Sequence, residues 1–406
     1  MKFLFFSHYF WPENFRINEL ALFFSSKHKE NYILTGYPSY PNKGLFKKKM
    51  NKENKENSND YQKLNIIRVP VFLRNNNNVS IILNYISFFF SSLILGGFKI
   101  VKKNFDIIFI FCPSPIFSAI PGVIFKLIFR KKSVLWILDL WPNTLIDLKI
   151  VKNKFIIKIL KTIIKFIYDN TDLILAQSES MCEEIKKTTD TKCIYFPSWP
   201  EENIGNDYNL FSDKILPCKK NQIKILFTGN IGEAQSFETL IECAKLLSQK
   251  QIVKWIIVGD GRWKKKLEKL IEINKLNDDF QLIENVPLEE IRSFFNHADA
   301  LYLSLKKNET FNRTIPGKLQ TYMTSKKPII ASISGEANRI IKDAQCGFVS
   351  EAEDHLALKD NIVAFYNLDI NKKKELGING KNYSDINFNK KNILNNLDIE
   401  IKKILK

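Results

Sequence analysis

The sequence is poor in histidine and its cysteines are scattered. The four histidines are His8, His28, His297 and His355, and the six cysteines form no C-x-x-C pair. No His/Cys group has ligand spacing, so no metal site is expected. Isolated thiols in a chain of 406 residues read as reduced, buried side chains of a cytoplasmic protein. No solenoid-length repeat recurs, which excludes a repeat architecture. Met1–His8 opens like a signal peptide, but polar and charged residues follow at once and no small-residue cleavage site appears. Residues 3–7 instead read as a first buried strand. An aromatic-basic surface motif is also lacking, so no nucleic-acid partner is expected despite a net charge of +18. Charge is absent from residues 75–98, and 81–98 is mostly apolar, near the length of a membrane span. Asn84, Ser87, Ser91, Gly96 and Gly97 dilute it, so a buried or interfacial helix is expected over a span. Arg74 before it and Lys99, Lys102 and Lys103 after it suit an anionic bilayer surface.

What is present supports two domains. Hydrophobic residues make up 45% of the chain and aromatics 13%, enough for two cores. Short apolar runs at 2–7, 31–35, 64–70, 105–111, 133–138, 173–176 and 193–196 alternate with helical patterns at 16–26, 116–129 and 154–169. The last of these mixes apolar and Lys residues, fitting either a membrane surface or packing on a sheet. Residues 47–60 are Lys, Glu and Asn with almost no apolar side chain, and are expected to be a surface loop. The second half repeats the alternation, with strands at 223–228, 255–258, 280–283, 300–303, 329–331 and 348–350. Such alternation predicts an α/β protein of two doubly wound Rossmann-like domains facing a cleft. The boundaries read as residues 1–200, a linker at 201–221, and 222–388, with a helix at 389–406 that can return to the first domain.

In wound sheets, ligands bind beyond the carboxyl ends of the strands. Four loops qualify: 8–16, 139–143, 229–235, and 311–318 with Gly335-Glu336. Thr228-Gly-Asn-Ile-Gly-Glu-Ala-Gln235 sets Gly229 and Gly232 between a strand and a helix, where backbone N–H groups can meet a phosphate; glycine needed only for the turn is the plainer reading. Val258-Gly-Asp-Gly261 repeats the device. Lys318 can balance a diphosphate, while the basic run 262–266 reads as a solvated face. Glu336 after Gly335 can accept sugar hydroxyls or simply start a helix. Asp139, closing a strand before Leu-Trp-Pro142, can act as a base, orient an acceptor hydroxyl, or cap the next helix. His8, beside Tyr9 and Phe10, reads as structural.

Several stretches together resemble the retaining glycosyltransferases of family four, which have the GT-B fold. They are HYFWPENFRINELA at 8–21, LDLWP at 138–142, FTGNIGEAQSFETLI at 227–241, VGDG at 258–261, HADALYLSL at 297–305 and IPGKLQTYMTSKKPIIASISGEANRII at 315–341. The chain looks most like the cell-surface polysaccharide branch that includes N-acetylfucosamine-type transferases. The resemblance implies a nucleotide-sugar donor, UDP-linked, held by Gly229, Asn230, Gly232, Lys318, Gly335 and Glu336. It implies a polyprenyl-diphosphate-linked saccharide acceptor near Glu13, Asn14 and Arg16, with Asp139 as catalytic residue. Front-side attack with retention, needing neither metal nor cofactor, and a peripheral location on the inner face of the cytoplasmic membrane are implied too. Two motif glutamates of the family are absent: Arg313 and Thr321 stand there, with Gln320 or Thr321 left to meet the ribose. Gln235 stands where a phosphate-binding lysine is common.

Overall fold

The computed structural model describes residues 1–28, 30–40, 61, 64–75, 77–147, 150–201, 218–219 and 221–406. The expected surface loop at 47–60 and nearly all of the expected linker lie outside these residues. The chain divides into two compact units, residues 1–196 with 394–406, and residues 197–393. The first boundary therefore falls at Phe196/Pro197, a few residues before the expected one.

Unit 1 is built on seven parallel strands: β1 (Phe3–Ser7), β2 (Tyr32–Gly36), β3 (Asn65–Val69), β4 (Ile107–Cys112), β5 (Lys132–Ile137), β6 (Leu173–Ala176) and β7 (Cys193–Tyr195), in the order β3-β2-β1-β4-β5-β6-β7. The central strands read as unbroken apolar runs because both of their faces are covered. On one face Leu4, Phe6, Ile108, Ile110, Leu135 and Ile137 join Phe88, Val123 and Ile164 from three helices. On the other, Phe3 and Phe5 meet Phe24 of the helix Arg16–Lys27. The C-terminal helix Lys390–Leu405 lies mostly in this unit: Leu394, Leu397 and Ile401 are buried, and Asp398 faces His28 and Lys27.

Unit 2 repeats the plan with β8 (Ile223–Thr228), β9 (Val253–Val258), β10 (Phe280–Ile283), β11 (Ala300–Ser304), β12 (Ile329–Ser332) and β13 (Gly347–Ser350), all parallel, in the order β10-β9-β8-β11-β12-β13. In each sheet the strand order reverses beside the first strand, between β1 and β4 and between β8 and β11. Strand β9 begins at Val253, two residues earlier than its pattern suggested. Lys254 breaks the apolar run, but its ammonium reaches out to the carbonyl of Asp278 at 2.6 Å while its stem stays buried. The short helix Asn143–Asp147 follows Pro142, where a helix is expected after Asp139, while the short helices Glu179–Lys186 and Glu309–Asn312 show no signal in the sequence pattern. Glu309–Asn312 offers too few residues for a period to show.

Candidate functional site

The reversal between β8 and β11 places the loop after β8 at the position where wound sheets take ligands. Gly229 has φ +114 there, a region open to glycine. A Cβ on Gly229 would come within 2.9 Å of the Lys318 side chain, so the loop and the start of the helix Gly317–Thr324 touch. Tyr322, one turn further along that helix, accepts the Thr228 N–H at 3.0 Å and pins it to the end of β8. The next glycine turn is packed under the first: a Cβ on Gly259 would lie 1.9 Å from the Gly229 carbonyl oxygen. A Cβ on Gly261 would lie 2.2 Å from the Ile231 carbonyl oxygen and 2.7 Å from Asn230 Oδ1. Asn230 is exposed. Gly232 donates its N–H to Gln235 Oε1 at 3.0 Å, so Gln235 shapes this loop from within.

Lys318 is the unusual member. Its Nζ is buried, makes no hydrogen bond among the described residues, and sits 3.7 Å from the centre of the Phe227 ring. Desolvation pushes its pKa down to about 7. A buried ammonium without an anion is costly, whereas a phosphate oxygen beside it would restore the charged form.

Glu336 opens the helix Glu336–Asp343 beyond β12, largely buried and 2.8 Å from Arg339. Gly335 before it has φ +71, and a Cβ there would strike the Asn312 carbonyl oxygen at 2.0 Å. Lys318 and Gly229 are thus brought into contact, while Gly335 and Glu336 follow the end of β12, two strands from β8 on the same edge. The ribose contact suggested for Gln320 or Thr321 finds no support in their surroundings. Gln320 is buried, and its amide nitrogen, turned to satisfy the network, faces the carbonyls of Pro316 and Gly317. Thr321 Oγ1 accepts the Glu201 N–H at 3.3 Å. Arg313 lies 3.4 Å from Glu309. A hollow of about 610 Å³ in unit 2 is lined by Arg292, Thr324, Lys326 and Lys381, at the far end of the helix from Lys318, and contains none of the expected site residues.

In unit 1 the expected residues separate. Asp139 follows β5, and burial lifts its pKa to about 6, against a hydrogen bond from Ser114 that lowers it. It is still largely a carboxylate at neutral pH, able to take a proton. Asn14 is exposed, and Arg16 pairs with Glu19 at 3.0 Å in the first turn of its helix. Glu13 does not face solvent: it is 2% exposed and accepts backbone N–H groups from Phe10, Ser39 and Tyr40. Its carboxylate fastens the loop after β1 to the loop after β2, which leaves it no reach toward an acceptor. His8 is stacked between Tyr9 and Phe88, both at 4.2 Å, and held neutral by burial.

Sequence reasoning missed an aromatic group around Arg74. Its guanidinium lies 5.1–5.9 Å from the rings of Tyr9, Tyr40 and Tyr85, and it donates to Tyr9 Oη at 2.6 Å. The four residues come from separate stretches with no shared period, so only the fold assembles them.

Residues 210–383 match the family described as glycosyl transferases group 1. The match spans less than half of the chain, and the likeness to that family is confined to this segment. The glycine turns and Lys318 lie within it. A relative from Escherichia coli strain K12, putative colanic acid biosynthesis glycosyltransferase WcaL, is 24% identical over 168 residues, 41% of this chain and 41% of its own length. The chain thus matches well under half of that relative. Two solved structures share the fold over nearly the whole chain. Sucrose-phosphate synthase from Thermosynechococcus elongatus has a TM-score of 0.74 at 14% identity, covering 100% of this chain and 99% of that one. Anabaena Alr3699/HepE, in complex with UDP and glucose, has a TM-score of 0.69 at 13% identity, covering 99% and 100%. The fold is GT-B, as the resemblance implied, and its two wound parallel sheets are those the alternation of elements predicted.

Proposed function

We propose that the chain is a retaining hexosyltransferase that moves a sugar from a UDP-linked donor to a polyprenyl-diphosphate-linked saccharide in surface polysaccharide assembly, of the O-antigen or capsule kind. The observation that carries this reading is the buried Lys318 Nζ, without a hydrogen-bond partner among the described residues, against Gly229 at the carboxyl edge of β8. A diphosphate there would accept charge-assisted hydrogen bonds from Lys318 and N–H groups from the glycine loop. Gly335 and Glu336 would line the nucleotide end, and Asn230 and Gly232 the sugar. In unit 1, Asp139 is the carboxylate able to orient an acceptor hydroxyl. The kinship with a colanic acid enzyme supports the polysaccharide setting, and HepE's complex with UDP supports the donor. A lipid-linked acceptor implies work at the inner face of the cytoplasmic membrane.

The test is incubation of the full chain with a panel of UDP-sugars, N-acetylfucosamine-type donors included, and a lipid-linked acceptor. Sugar transfer with UDP release is expected, and the anomeric configuration of the product, read by NMR, should match the donor. Absence of transfer and of UDP binding across the panel would overturn the proposal. A second reading, a nucleotide-sugar-binding subunit without catalysis, is favoured by Arg313 and Thr321 standing where the family carries acids. It predicts donor binding without turnover.

A further inference from the structure

We infer that the outer surface of unit 1's helical layer docks on an anionic lipid bilayer, with the helix Asn78–Ile100 lying in the membrane plane. The inference rests on the lipid-linked-acceptor reading for its purpose, but its evidence and test are separate. Three helices, Asn78–Ile100, Ile120–Phe129 and Lys154–Asp169, bury Phe88, Val123 and Ile164 in one cluster over the same face of the sheet. Their outer sides therefore form one layer.

The helix Asn78–Ile100 keeps two faces apart along its whole length. Ser80, Asn84, Phe88, Ser92, Gly96 and Ile100, four residues apart, are buried. Ile82, Ile86, Phe90, Ile94 and Phe98, also four apart, are exposed, Phe98 to 77%. A regular α-helix cannot hold a four-residue stripe straight, because every four residues advance it about 40° beyond a full turn. The π turn Ser92–Gly96 is a wider turn that sets back this drift in the last third of the helix. A bare apolar stripe kept in line in this way is more than scattered surface leucines and isoleucines.

The inner face argues against a span. Asn84 donates to Ser39 Oγ at 3.0 Å and to the Phe72 carbonyl at 2.6 Å, and Ser91 donates to the Pro70 carbonyl. Crossing the bilayer would strip these partners away. Charge completes the match. The three helices contain no Asp or Glu except Asp169, which pairs with Lys165; Lys99 is exposed next to Phe98, and Lys158 and Lys161 are exposed on the helix that carries the exposed Phe155 and Ile159. An apolar stripe in a helical layer whose exposed charges are nearly all lysine fits the boundary between acyl chains and anionic headgroups. An apolar hollow of about 500 Å³ between Phe72 and the side chains of Phe90, Ile94 and Leu95 gives an acyl chain room on the same helix.

The test is flotation of the full chain with phosphatidylcholine vesicles, with and without phosphatidylglycerol, and no donor or acceptor present. Flotation with phosphatidylglycerol vesicles and release by high salt are expected. Phe90→Glu should lower partition roughly 10-fold or more, and Lys158→Glu/Lys161→Glu about 5-fold for each charge removed. Both sites are exposed, and unchanged thermal unfolding would show the variants folded. Equal flotation on phosphatidylcholine alone, or variants that float like the parent, would overturn the inference. So would release by detergent but not by salt, which marks a span. A change of oligomeric state in Phe90→Glu with flotation unchanged, which marks a second copy of the chain, would overturn it as well. Failure of sugar transfer leaves this result untouched, and failure to float leaves the donor reading untouched.

Discussion

Lys318 is a side chain whose burial opposes stability and whose proposed role is to bind a diphosphate. Its folded pKa of about 7 lies below the ordinary 10.5, so the unfolded chain holds the proton more firmly. Stability should therefore be lowest below pH 7 and rise between about 7 and 10.5, as the unfolded state gives up that extra proton. Lys318→Met should stabilise the protein by on the order of 2 kcal/mol at neutral pH and less at alkaline pH, read by urea unfolding across that range. The same substitution should weaken UDP binding by about 1.5–3 kcal/mol in calorimetry, the ordinary worth of a hydrogen bond to a charged group. Binding UDP should also draw a proton onto the parent protein, an uptake absent in the variant. A variant that is less stable yet binds UDP as before would place Lys318 in the scaffold.

At the scale of single elements, two glycines in one motif have opposite reasons to be glycine. Gly335 combines φ +71 and ψ −136 with a backbone oxygen 2.0 Å from any added Cβ. Gly317, at the start of its helix, has nothing within 4 Å of that position. Gly335→Ala should cost at least about 3 kcal/mol and shift the entry to the helix Glu336–Asp343. Gly317→Ala should be neutral or stabilise by about 0.5 kcal/mol through the unfolded chain. Chemical denaturation of the two variants checks both. Equal losses would show that the backbone at Gly335 is not constrained in this way.

Across the molecule, the last helix ties the end of the chain to its beginning. Leu394, Leu397 and Ile401 are at most 1% exposed within unit 1. Full burial of such a side chain contributes roughly 1.5–3 kcal/mol, so a chain stopped after Ile393 should lose several kcal/mol from unit 1. Differential scanning calorimetry should show the transition of unit 1 moving down while that of unit 2, followed with UDP bound, stays in place. A shared downward shift would mean the two units unfold as one.

The sequence alone determined the sheets. Unbroken apolar runs can be satisfied only by strands covered on both faces, and β6, β8 and β10 fall on the residues their patterns marked. It also marked the glycine turns, since Gly229 and Gly335 take positive φ, which glycine adopts without steric cost. The tertiary structure alone decided which polar groups stay free. Glu13 and Lys318 look alike in a one-dimensional reading, each a charge in a strand-end loop. Folding gave Glu13 three backbone donors and left Lys318 over an aromatic ring. Local pattern fixes where the backbone goes because it acts through neighbours a few residues apart. Whether a side chain is satisfied depends on atoms brought from distant stretches, and no periodicity in the chain records them.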